Sequence, residues 1–230
     1  KENMAAGLLK LSGWTPDMPL LDPFCGSGTI AIEAASIACG LVPGISRSFG
    51  FEKLLNFDRE LWTELREDAK SEVNLHREVS ITASDISSIV VRKAEANALR
   101  AGLGGLLESG NLKFSVCDAR NVLPPTETPG IIVANPPYGE QSTPRSATVG
   151  SMMRHVADNL KHNFAGWTAW MLTSDRHLPG EMHLKEGRKT VLFNGPLECR
   201  FFKFDLVAGS NRRVKNRDAA SDSTPSDAES

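Results

Sequence analysis

Leu20-Leu21-Asp22-Pro23-Phe24-Cys25-Gly26-Ser27-Gly28-Thr29 is the stretch that decides the fold. A short buried strand, Leu20-Leu21-Asp22, runs into a turn holding two glycines, and a helix of small residues follows from about Thr29 to Ala38. Gly26 and Gly28 let the backbone approach a ligand closely. The first turn of the helix offers N–H groups to a carboxylate. Open α/β sheets bind ligands at such strand-to-helix turns, although a lone G-x-G also serves as a plain tight turn. Dinucleotide binding is disfavoured, because Ile30 and Ala31 follow Thr29 where the third glycine of G-x-G-x-x-G would come.

Working outward, Lys1–Ser12 reads as a helix with Met4, Ala5, Leu8 and Leu11 on one side. Gly13 and Pro16 end it. Gly40, Pro43 and Gly44 open a long loop reaching to about Phe57, and Arg59–Arg77 is expected to be an amphipathic helix burying Leu61, Leu65, Ala69 and Val73. Ser80–Ala83 is a strand running into Asp85, and Ser87 is a candidate cap for a helix that ends at Gly102. Leu112–Cys117 and Gly130–Asn135 are the third and fourth strands. Ile131-Ile132-Val133 is apolar throughout, as a strand covered on both faces should be. A helix over about Met152–Phe164 precedes a strand at Trp167–Leu172. Arg188–Phe193 and Leu197–Asp205 flank Asn194-Gly195, a hairpin turn signal. The expected fold is therefore α/β and Rossmann-like, with helices on both faces and a βαβ series that closes on an antiparallel pair. Residues 1–207 are expected to form one domain. Residues 208–230 form a tail, in which Asn211–Ser230 has the composition of a disordered segment.

Three acidic residues end successive strands. Asp22 opens the glycine turn, Asp85 is placed to accept both hydroxyls of a ribose, and Asp118 can accept from an adenine amino group. Each is weak alone, since Asp also caps helices, but all three point to one sheet edge. The most specific signal is Asn135-Pro136-Pro137-Tyr138, immediately after the fourth strand. Two prolines fix the backbone and aim a carbonyl rigidly. The Asn135 side-chain oxygen and the Pro136 carbonyl can then accept from one NH2 group, and Tyr138 can stack on a planar base. Asn135, Pro136, Pro137 and Tyr138 are the candidate catalytic residues.

These motifs, in this order, resemble those of the class I methyltransferases. More narrowly, the chain is similar to the THUMP-linked RNA guanine-N2 methyltransferases, in particular their bacterial members acting on large-subunit ribosomal RNA. The likeness rests on Lys1-Glu2-Asn3-Met4-Ala5-Ala6, Asp22 to Thr29, Ile32-Glu33-Ala34-Ala35, and Pro43-Gly44 with Arg47, Phe49-Gly50-Phe51-Glu52 and Trp62. Asn135 to Glu140 and Phe193-Asn194-Gly195-Pro196-Leu197-Glu198-Cys199-Arg200 complete it. The resemblance implies a mainly parallel seven-stranded sheet with a reversed last strand. It implies S-adenosyl-L-methionine as cofactor, held by Asn3, Asp22, Pro23, Phe24, Cys25, Gly26, Ser27, Gly28, Thr29, Asp85, Ile86, Asp118, Ala119 and Asn135. It also implies a THUMP domain upstream and ribosomal RNA as partner, with methyl transfer to the exocyclic N2 of a guanine. Adenine-N6 methylation of DNA or RNA, glutamine-amide methylation of a protein and a non-catalytic cofactor-binding module are the alternatives. The loop at Pro43–Glu52 and the intact Gly26, Gly28, Asp85 and Asn135 weigh against them.

Composition narrows the field further. The 230 residues carry a net charge of −2, whereas a free-standing nucleic-acid binder usually carries a basic excess. Much of any RNA affinity is thus expected from outside this chain, whose first residue is Lys1. Arg47 and Lys53 in the long loop are candidate RNA contacts, and the basic run Arg212, Arg213, Lys215, Arg217 is offset by Asp218, Asp222, Asp227 and Glu229. The four cysteines form no CxxC pair, and the five histidines follow no metal-ligand spacing, so no metal is expected. Cys25 could be read as a nucleophile, but in the glycine turn a small residue is all that is required. Cys117, Cys199, Trp167 and Trp170 read as core. No apolar run is long enough to span a bilayer and the start lacks a signal-peptide pattern, so a cytoplasmic location is expected.

Overall fold

In the computed structural model of the chain, residues 2–45, 47–137 and 146–208 are described. Lys1, Tyr138 and the tail 211–230 therefore lie outside the described residues.

Seven strands form one sheet in the order β3-β2-β1-β4-β5-β7-β6. The strands are β1 (Leu20–Asp22), β2 (Ile81–Asp85), β3 (Leu112–Val116), β4 (Ile131–Ala134), β5 (Thr168–Thr173), β6 (Arg188–Asn194) and β7 (Leu197–Asp205). The first five pair parallel; β7 runs antiparallel to both β5 and β6. The helices are α1 (Glu2–Ser12), α2 (Thr29–Ala38), α3 (Arg59–Ser71), α4 (Ser88–Arg100), α5 (Gly104–Ser109), α6 (Ser146–Asn163) and α7 (Leu178–Met182). No helix among the described residues is long and apolar enough to cross a membrane.

Two hydrophobic clusters, one on each face, sandwich the sheet. On one face Ala5, Leu8, Ala31, Ala34, Ala98, Leu103 and Leu106 from α1, α2, α4 and the α5 region pack on Leu20, Ile81, Val133, Trp170 and Phe201. On the other, Met153, Val156, Leu160 and Met182 from α6 and α7 pack on Leu21, Ile132, Met171, Phe202 and Phe204. The alternation of core side along each strand follows from the pleat. It makes the central strand β4 apolar at every position, and all four of its residues are buried. Trp170 and Phe201 stack face to face at 4.8 Å between adjacent strands, whereas Trp167 is buried on the other face, edge-on to Phe164 at 5.5 Å. Cys199 is fully buried, while Cys117 is only half-buried.

Helix α3 departs from the expected pattern. It ends at Ser71, six residues early, because the Ser71 hydroxyl turns back to the Asp68 carbonyl and the Asn74 N–H pairs with the Cys39 carbonyl instead of continuing the helix. None of its residues is buried, and Leu61 and Leu65 are half-exposed. The helix is rotated so that Trp62 meets Phe49 and Phe51 edge-on, with centroids at 5.8 and 5.1 Å, while Arg66 donates to the Ile45 carbonyl. Its inner face thus packs against its own preceding loop, not the sheet. In the same loop the Arg47 guanidinium lies 4.6 Å over the Phe49 ring.

Smaller departures have local causes. The Ser87 side chain does not cap α4; its N–H instead donates to Asp85 Oδ1 at 2.9 Å. Helix α6 starts six residues before Met152, and the short helices α5 and α7 were not anticipated. Each has only one to two turns, too short for a periodic pattern.

At the start of β4, Gly130 sits against the chain entering β1, and an added Cβ would lie 2.2 Å from the Pro19 carbonyl oxygen. That oxygen accepts the Ile131 N–H at 2.8 Å, so relief would break the first β1–β4 bond. Gly130→Ala should therefore lower the unfolding free energy by about 1–3 kcal/mol or more, measured as the shift in urea midpoint against the parent protein.

Candidate active site

The C-terminal ends of β1, β2, β3 and β4 surround a cleft of about 360 Å³, within the usual range for small-molecule sites. Its lining is Pro23, Phe24, Gly26, Asp85, Ile86, Asp118, Ala119, Arg120, Asn135, Pro137 and Met152. The order reverses between β1 and β4, so the cleft lies where doubly wound sheets bind ligands.

The glycine turn between β1 and α2 is held from several sides. Gly26 N–H donates to Asp85 Oδ2 at 3.1 Å and Cys25 N–H donates to the Ser84 carbonyl at 2.9 Å, tying the turn to the end of β2. Asn97 of α4 donates to the Ser27 carbonyl at 2.8 Å. Gly28 caps α2 with φ of 86°, and a Cβ there would lie 2.9 Å from the Ala94 methyl and 3.1 Å from the Phe114 ring. Only glycine meets both the backbone and the space requirement. The first turn of α2 carries no acidic residue and its cap has no side chain, which leaves that helix end suited to an anion.

The three acidic strand ends have different environments. Asp22 is fully buried and, among the described residues, accepts only the Phe24 N–H, at 3.1 Å. Burial, with a contribution from the charge on Asp85, pushes its carboxyl up to about 7. Asp85 lies at the cleft wall, and each of its oxygens takes one backbone N–H, from Gly26 and from Ser87. A carboxylate has about four lone-pair sites, so two remain for hydroxyl donors. Asp118 is gripped by Arg120, whose Nε lies 3.0 Å from both carboxylate oxygens; this hydrogen bonding holds the carboxyl below its usual range. Burial, then the Asp22 and Asp85 charges, push the Cys25 thiol up, which removes the thiolate a nucleophile needs.

Beyond the fourth strand, Asn135 and Pro137 face the cleft, and Pro136 between them is buried. Of the residues singled out from sequence, Pro23, Phe24, Gly26, Asp85, Ile86, Asp118, Ala119, Asn135 and Pro137 line the cleft, whereas Asp22, Cys25, Ser27, Gly28 and Thr29 build and brace its turn. Asn3 is exposed on α1 and is not part of the lining. Tyr138 lies outside the described residues. Sequence reasoning passed over Arg120 and Met152. The arginine had a usable signal, an Asp-x-Arg spacing that lets the guanidinium fold back on the strand-end carboxylate. Asn97 had none, being 70 residues from the carbonyl it holds. Among the described residues, no three metal-ligating side chains cluster.

Residues 1–203 match the family model described as UPF0020: RMKL-like, methyltransferase domain. The chain is 42% identical over 221 residues to a Shewanella baltica protein named Ribosomal RNA large subunit methyltransferase K/L, a match covering 93% of this chain. It spans only 30% of that relative's length. Its fold resembles that of SMU.472, crystallised with SAH under the description of a methyltransferase, with a TM-score of 0.79 and 28% identity over 92% of this chain and 54% of that one. A Listeria monocytogenes protein described as a predicted N6-adenine-specific DNA methylase is 31% identical with a TM-score of 0.78, over 89% of this chain and 50% of that one.

The raised Asp22 carboxyl has a measurable consequence. A group that holds its proton more tightly when folded contributes fully below its unfolded value of 3.8, and that contribution is lost as pH rises through about 7. Between those limits Asp22 should lower the unfolding free energy by up to about 1.4 kcal/mol per pH unit. Asp22→Asn keeps an oxygen for the Phe24 N–H and removes the titration. In urea unfolding of both proteins across this range, the variant's stability should gain on the parent's steadily as pH rises.

Proposed function

The chain belongs to the RMKL-like methyltransferase domain family, and from that premise we propose that it transfers a methyl group from S-adenosyl-L-methionine to the exocyclic N2 amino group of a guanine in large-subunit ribosomal RNA. The observation that carries this reading is the cleft itself: Asp85 and the glycine turn form one wall and Asn135 with Pro137 the other. The residues fit the cofactor's chemistry. Asp85 keeps lone pairs for two ribose hydroxyls, Ile86 and Ala119 offer apolar surface for a purine, and the α2 N-terminus suits a carboxylate. The likeness to SMU.472, crystallised with SAH, supports the same assignment. The 42% identity to proteins named for large-subunit ribosomal RNA supports the substrate. We place the activity in residues 1–207 and in the cytoplasm.

When bound, the cofactor supplies an electrophilic methyl group on a sulfonium. The protein's task is positioning and electrostatic stabilisation. The Asn135 side-chain oxygen and the Pro136 carbonyl accept the two hydrogens of the acceptor amine. This draws its lone pair out of conjugation with the ring and towards the methyl. Both acceptors also stabilise the positive charge that develops on nitrogen. Pro136 and Pro137 lock their own φ angles, and buried β4 anchors the segment, so the acceptors need no reorganisation. The target base must leave its stack to reach them. Adenine-N6 methylation is the second reading, favoured by the description of the Listeria relative, because its acceptor is also an exocyclic amine.

Asp85→Ala should weaken affinity for SAH about tenfold or more, since a hydrogen bond to a charged group is worth about 1.5–3 kcal/mol; unchanged calorimetric affinity would remove the ribose assignment. Asn135→Ala should abolish methyl transfer while SAH affinity stays within a few fold. Incubation with unmodified ribosomal RNA and with DNA, followed by nucleoside mass spectrometry, should yield N2-methylguanosine from the RNA. Methylated adenine arising only from DNA establishes the second reading instead.

A further inference from the structure

The hairpin stretch Phe193-Asn194-Gly195-Pro196-Leu197-Glu198-Cys199-Arg200 has no part in the cleft, yet the sheet register carries it to the same edge. Ala134 pairs with Met171, Leu172 with Phe201, and Phe201 with Thr190. Asn135 is therefore level with Thr190, and Phe193 stands three residues higher on β6, which runs in the same direction as β4. With strands about 4.8 Å apart and about 3.3 Å of rise per residue, Phe193 lies roughly 15–20 Å from Asn135.

The tip is built to present that ring. Phe193 is 63% exposed and has no ring partner among the described residues. Its backbone is fixed by pairing with Glu198, and Gly195 turns the hairpin at φ of 65°. Residues opposite each other on an antiparallel pair share a face, so Phe193 and Glu198 project together, as do Val191 and Arg200. Val191 is also half-exposed. Glu198 takes two guanidinium groups, Arg200 at 2.7 Å and Arg176 at 3.5 Å. One carboxylate shared by two arginines leaves the group positive, and Arg176 stays largely exposed. The depression that Arg176 also lines is less suited to an anion, because Glu181 and Glu186 line it alongside Arg154 and His177.

We propose that this hairpin tip is a binding surface for the single-stranded RNA flanking the acceptor nucleotide, with Phe193 as a stacking platform for a neighbouring base and Arg176 contacting its phosphate. The inference rests on the RNA reading of the active site. A rigid exposed ring beside a net cation is the combination that single strands use, since every base has a π face. Its reach from Asn135 is the span of a few nucleotides, so a base lifted into the cleft keeps its neighbour within range.

The test titrates a single-stranded fragment of large-subunit ribosomal RNA into the chain at fixed low salt, with a DNA duplex of equal length as control. Phe193→Ala should weaken RNA binding about tenfold. Phe193→Tyr should restore it, and both variants should match the parent protein in SAH affinity and urea midpoint. Arg176→Ala should weaken binding and reduce its salt dependence. RNA affinity in Phe193→Ala equal to that of the parent protein overturns the hairpin assignment alone. A parent protein that takes up SAH but prefers the DNA duplex overturns the RNA reading beneath it.

Discussion

The Gly26 N–H to Asp85 hydrogen bond joins residues 59 positions apart and is the contact on which the site depends. It locks the turn after β1 to the end of β2, so two separate βα units act as one wall. The same carboxylate also accepts the Ser87 N–H and sets the entry into α4. From α4 the Asn97 amide returns to the turn at Ser27, closing a loop of constraints. Gly28 completes it by letting α2 approach α4 at a distance that excludes a methyl group.

Asp22 and Asp85 are adjacent in space, and the fold keeps their charges apart by giving them different solvents. Asp22 is sealed, with one backbone donor among the described residues, and its proton is retained to near neutrality. Asp85 has two backbone donors and an open side at the cleft. One acid thus serves as a structural element of the turn while its neighbour stays available to a ligand. Asp118 differs again, because Arg120 occupies both of its oxygens. A purine amino group approaching it has to share the carboxylate with a guanidinium already in place. The three strand-end acids look equivalent in the sequence, and their environments separate them.

What the sequence discloses follows the range of the interactions involved. The seven strands, the reversed last pair and the strand-end residues are legible because strand periodicity, the glycine turn, Asn194-Gly195 and Asn135-Pro136-Pro137 are local signals. The orientation of α3 is not. Its leucines at positions 61 and 65 satisfy a helical stripe, yet the helix turns to Trp62 and Arg66, because the preceding loop supplies two phenylalanine rings and a carbonyl. Periodicity reports that a helix has an apolar side and says nothing of which neighbour will claim it. Arg120, Met152 and Asn97 are hidden for the same reason, since their partners or cleft positions are set by tertiary approach.

Strand order explains why residues as distant as Asp22 and Asn135 share a site. The chain lays β1, β2 and β3 outward in one direction, then returns to place β4 on the other side of β1. The connections after β1 and β4 pass to opposite faces, α2 packing with one cluster and α6 with the other. A crevice must open between them at the C-terminal edge. A ligand seated there touches the glycine turn on one side and Asn135 on the other without either segment crossing the sheet. The antiparallel β7 extends that edge past β5 while reversing direction, so that the β6–β7 turn and the loop after β5 emerge together. The sheet therefore divides into a half whose turns surround the cleft and a half whose turns lie outside it. Asn135, at the end of β4, sits at the boundary between the two halves.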